Sequence, residues 1–111
     1  MVQLPAEIKK TIDRYLQSLN RNNIPIKEAI LFGSYAKGNY QEWSDIDIAL
    51  VSDIFMGNRI DDKDMIRNIT LSVSSSIEVM PFSPKDFNLQ NPFVKEILRT
   101  SIKLVWFVQL F

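Results

Sequence analysis

The stretch that decides the fold is Leu31-Phe32-Gly33-Ser34-Tyr35-Ala36-Lys37-Gly38, followed after residues 39–44 by Asp45-Ile46-Asp47-Ile48-Ala49-Leu50-Val51. The run from Ile26 to Phe32 grows more apolar along its length and stops at a glycine, which reads as a strand entering a buried sheet position. Asp45 to Val51 alternates acid and isoleucine before becoming wholly apolar, the pattern of a second strand. Side chains repeat every second residue along a strand, so Asp45 and Asp47 share one face. A strand that ends in Gly33-Ser34 and turns into a helical segment aims backbone N–H groups and a hydroxyl at whatever lies above the sheet, and Gly33 lets an anion approach closely. That is a seat for phosphate. Two carboxylates two residues apart on the adjacent strand are hard oxygen donors, which Mg²⁺ takes together with substrate phosphates.

Each half is ordinary alone: Gly-Ser after a strand is usually a plain turn, and Asp-x-Asp is as often a solvated strand end. Their combination at the ends of two apolar strands, with no paired base beside Asp45 and Asp47, points to a cation site. Two other motifs fail. Gly33 to Gly38 has the glycine spacing of a P-loop, but Asn39 and Tyr40 stand where Lys and Ser/Thr are needed. Asp45-x-Asp47 lacks the glycine and final glutamate of an EF-hand.

Around this centre the chain alternates helices and strands. Pro5 to Asn20 places Ile8, Ile12, Tyr15, Leu16 and Leu19 on one helical face, with Pro5 suited to the first position. Asp61 to Val73 predicts a second helix with Met65, Ile66, Ile69 and Val73 inward and Asp61, Asp62 and Asp64 in its first turn. Ile77 to Pro81 is a third strand. Ser83-Pro84 followed by Asp86 resembles a helix start, Asn91-Pro92 repeats that signal for a helix to about Thr100, and 102–111 fit a terminal strand. The expected class is α/β (α+β), a small mixed sheet with helices packed on it, in one domain over residues 1–111.

Composition narrows the chemistry. The 111 residues include no Cys and no His, which excludes disulfides, thiolate or imidazole metal sites and every Ser/His/Asp triad. Thirteen basic residues balance thirteen acidic ones, so the overall cationic field needed to grip bulk nucleic acid is missing. The longest apolar run, Leu104 to Val108, is far too short to cross a bilayer, and no signal segment opens the chain, so a cytoplasmic protein is expected. Leu104 to Phe111 carries no charge and is almost wholly apolar. Residues from Trp106 onward are therefore expected to pack on a partner or a second copy of the chain.

Strand, Gly33-Ser34, a gap of about ten residues, then Asp45-Ile46-Asp47 and apolar residues resembles the minimal nucleotidyltransferase domains of the DNA polymerase β superfamily. The resemblance implies that Asp45 and Asp47 hold one or two Mg²⁺, or Mn²⁺, that bridge a nucleoside triphosphate, with ATP the expected donor. Gly33 and Ser34 would seat its phosphates and Lys37, one helical turn on, would reach one of them. The family's third carboxylate lies on a later strand, where Ser76-Ile77-Glu78-Val79 offers Glu78 in place of the commoner Asp. Tyr40 and Trp43 flank the acids, either to stack on a base or to close the core. Gly33→Val is expected to abolish nucleotide binding at little cost to the fold. Stand-alone members of this size resemble antitoxins paired with a HEPN-domain toxin, some of which modify the toxin with AMP. Two alternatives stay open: an antitoxin that acts by contact alone, and transfer to a small molecule.

Overall fold

The computed structural model describes residues 4–104. Helix α1 (Ala6–Arg21) buries Ile12, Tyr15, Leu16 and Leu19, the stripe its periodicity predicts. Pro5 stands just outside it, and its carbonyl accepts from the N–H of Ile8 and Lys9. Then follow β1 (Glu28–Phe32), α2 (Ser34–Lys37), β2 (Ile46–Val51), α3 (Arg59–Met65), α4 (Arg67–Val73), β3 (Ile77–Phe82), α5 (Pro92–Arg99) and β4 (Ile102–Lys103). The sheet order is β3-β2-β1-β4, with β1 antiparallel to both β2 and β4 and β2 parallel to β3. It is the mixed sheet the sequence predicts.

Both faces of the sheet are covered. On one, Leu31, Ile46, Ile48, Leu50, Ile77 and Val79 pack with Leu16 and Leu19 of α1 and with Ile66. On the other, Ile30, Ala49, Val51 and Phe82 pack with Val94 and Ile97 of α5. A strand buried on both sides reads as a continuous apolar run, which explains Ile48 to Val51. Across the first face the Tyr15 hydroxyl and Thr70 Oγ1 share a hydrogen bond of 2.7 Å, tying α1 to α4. Burial pushes that phenol up to about 12.

Three sequence expectations change. The single helix over 61–73 is two, broken at Ile66, whose φ of −112° and ψ of 8° leave helical geometry. A continuous helix would carry Met65 inward beside Ile66; the break lets Ile66 bury completely and leaves Met65 half-exposed. The acids at its start have different tasks. Asn58 caps the helix, its side chain accepting from Asp61 N, while Asp62 is buried and accepts from the N–H of Met56 at 2.9 Å and of Gly57 at 3.0 Å. Asp62→Ala leaves both donors unpaired, so a loss of about 2–3 kcal/mol is expected in urea unfolding.

Ser83-Pro84 starts no helix. Its carbonyl accepts from Asp86 and Phe87, and the Ser83 hydroxyl donates to the Asp86 carboxylate at 3.0 Å, closing a single turn. The signal at Asn91-Pro92 does start one: Asn91 Oδ1 accepts from Phe93 N at 3.0 Å and the proline takes an early helical position. Of the predicted terminal strand, β4 lies within the described residues; the apolar segment from Trp106 onward lies outside them. Among the described residues no helix is long and apolar enough to cross a membrane.

Candidate active site

Strand register assembles the site. Asp47 lies opposite Phe32 of β1 on one side and opposite Glu78 of β3 on the other. Because Ile46 and Ile48 fill one core, Asp47 between them projects from the opposite face; Glu78, between Ile77 and Val79, does the same. Asp45 precedes β2 by one residue, two before Asp47. Four strand-borne features, Gly33, Asp45, Asp47 and Glu78, therefore meet at one end of three adjacent strands.

Gly33 joins β1 to α2 with φ 76° and ψ −154°, a region open essentially to glycine alone. A Cβ placed there would stand 2.1 Å from Asp47 Oδ2 and 3.0 Å from its Cγ. Gly33 is thus required by the turn and by the carboxylate packed against it, so the expectation that Gly33→Val costs the fold little does not hold. The close approach is to Asp47 within the chain. Ser34 begins α2 and Lys37 ends it, exposed, before Gly38 in the left-handed conformation.

Burial pushes Asp47 up from the ordinary 3.8 to about 6, with further upward contributions from the charges of Asp45 and Glu78. Among the described residues neither Asp45 nor Asp47 has an ion-pair partner. Glu78 does: Lys63 Nζ on α3 lies 3.1 Å from its Oε1. The third carboxylate that the resemblance implies thus has a basic partner, while the two acids of Asp45-Ile46-Asp47 have none among the described residues. No pattern in the sequence marks Lys63, whose role follows from the approach of α3 to the edge strand β3. Of the two flanking aromatics, Tyr40 stacks on Tyr35 at 4.6 Å and packs on the core, whereas Trp43 is 79% exposed.

The donor set suits a hard divalent cation: carboxylate oxygens at adjacent positions, with unneutralised charge on Asp47. Among the described residues no three acidic side chains already stand at metal-holding separation. With Glu78 on Lys63, Asp45 and Asp47 are the two donors left unpaired.

A family model described as the nucleotidyltransferase domain matches residues 10–105. The chain belongs to that family. Its class of activity is nucleotidyl transfer, and its fold is that of the nucleotidyltransferase domain. Over 106 residues, 89% of this chain and 71% of the relative, it is 30% identical to a Methanocaldococcus jannaschii protein named "Putative protein adenylyltransferase MJ1305". Two crystal structures share the fold. A toxin–antitoxin with AMP-PNP superposes with a TM-score of 0.58 and 22% identity, over 82% of this chain and 70% of that one. A variant of the toxin–antitoxin MntA-HpeT gives 0.58 and 20%, over 89% and 84%.

Proposed function

We propose that this nucleotidyltransferase moves AMP from ATP to a hydroxyl of a partner protein, the HEPN-domain toxin of a toxin–antitoxin pair, with Mg²⁺ or Mn²⁺ as cofactor. The carrying observation is Asp47, an unpaired carboxylate wedged against Gly33 and flanked by Asp45 and Glu78. In support, a relative carries a protein adenylyltransferase name and a fold neighbour is a toxin–antitoxin holding an ATP analogue.

Asp45, Asp47 and Glu78 would hold one or two metal ions, which supply charge neutralisation of the triphosphate when bound. Gly33 and the start of α2 leave the strand end open to the phosphates, with Ser34 donating its hydroxyl and Lys37 its ammonium. The acceptor hydroxyl oxygen forms a bond to the α-phosphorus while the bond from that phosphorus to the bridging oxygen breaks and pyrophosphate leaves. Glu78 has one of two roles here: it binds the second metal ion, or it takes the proton of the acceptor hydroxyl.

The test is ATP labelled at its α-phosphate, incubated with this chain and the HEPN protein. Label is expected on the partner and absent with the Asp45→Ala, Asp47→Ala double variant. If label never reaches the partner while the double variant still neutralises it, the contact-only antitoxin replaces this reading.

A further inference from the structure

Among the described residues Glu78 is the one site carboxylate with a resident cation, and the partner is weakly bound. The Lys63 and Glu78 side chains are 39% and 52% exposed, and ion pairs in that setting contribute little to stability. Glu78 nevertheless sits beside Asp47 in register, and both project from the same face. On the other flank of Glu78, Lys63 lines a cleft of about 260 Å³ with Arg67, Thr70 and Ser75. Arg67 is itself paired with Asp64, so Lys63 is the cation that answers Glu78. An ammonium is a compact point charge on a flexible stem, well suited to stand where a metal would and to leave without cost to the fold.

We propose that Lys63 is a positioning residue: it holds the Glu78 carboxylate while the site is empty, and a divalent cation takes its place when the site is loaded. This rests on the reading of Glu78 as the third carboxylate. With Glu78 held by Lys63, Asp45 and Asp47 remain the unpaired half of the site; with Lys63 displaced, the ammonium is freed into the adjoining cleft, where it can meet an anionic group of the acceptor. Exchange of one cation for another keeps Glu78 neutralised in both arrangements, so neither leaves three uncompensated charges together.

The experiment titrates Mn²⁺ alone into the metal-free chain by calorimetry at low ionic strength. Lys63→Met is expected to bind Mn²⁺ roughly two- to fivefold more tightly than the parent, the range that losing an exposed pair allows. Lys63→Arg, which keeps the pair, is expected to match the parent. In a Glu78→Gln background the gain from Lys63→Met is expected to vanish. A gain that persists in that background, or no gain at all, overturns the proposal, since the first would reflect only the removal of a nearby positive charge. Glu78→Gln alone separates the two levels. If it weakens Mn²⁺ binding while Lys63→Met matches the parent, the latch fails and Glu78 keeps its role; if it has no effect, Glu78 leaves the metal site and the latch goes with it.

Discussion

Asp47→Asn is expected to abolish the rise in melting temperature that Mg²⁺ or Mn²⁺ gives the parent chain, and to lower nucleotidyl transfer by more than about a hundredfold, since even residues that only orient metal ligands contribute 10–100-fold. The same substitution has an opposite effect without metal. Asp47 is pushed up to about 6 in the folded chain, against 3.8 ordinarily. The folded state therefore holds this proton more tightly than the unfolded state, and stability falls as pH rises through the window between about 4 and 6. Above that window the folded chain carries the full cost of an ionised Asp47 among like charges. Metal-free parent should melt lower at pH 7 than at pH 5; Asp47→Asn should flatten that slope and melt higher than the parent at pH 7. Thermal melts at both pH values, with and without Mg²⁺, check it. An equal metal response in both proteins would remove the site from Asp47.

Gly33→Ala is expected to be the most damaging single methyl group in the molecule. The backbone at φ 76° and ψ −154° disfavours any side chain by about 1–3 kcal/mol. The added Cβ also meets Asp47 Oδ2 at 2.1 Å, so the carboxylate must turn away. Stability and metal response should fall together, and Gly33→Val should exaggerate both. Urea unfolding measures the first and the Mn²⁺ midpoint the second. A variant that folds as firmly as the parent yet loses only nucleotide binding would restore the view that Gly33 serves the ligand alone.

How much of this was legible in the sequence depends on what kind of contact is asked for. β1, β2 and the turn at Gly33 are written locally, in alternation and in a glycine that ends an apolar run, so Asp45 and Asp47 can be placed on one face from spacing alone. Glu78 needs the partner strand; the register that sets it beside Asp47 is created across the crossover from Val51 to Ile77 and has no local signature. Lys63 and Asp62 were invisible for the same reason. Each is one charged residue among several in Arg59-Ile60-Asp61-Asp62-Lys63-Asp64, and only the packing of α3 decides that one acid is buried under a loop while its neighbour reaches Glu78. The break at Ile66 was hidden because the apolar spacing on either side of it remains helical. Ser83 and Asn91 show the limit of cap signals: each side-chain oxygen accepts from a backbone N–H just past its proline, yet the chain closes a single turn at the first and continues as a helix at the second.

The sheet order has a last consequence, for how firmly each part of the site is held. Among the described residues β2 is bonded to a neighbour on both sides and β3 on one. Amides of β2 exchange with solvent only when the sheet comes apart, whereas a sub-global opening that frays β3 at the edge releases Glu78 and leaves Asp45 and Asp47 in place. Asp47, which would meet the triphosphate, thus belongs to a strand held on both sides, with Asp45 just before its start. Glu78 rides on the margin that yields first.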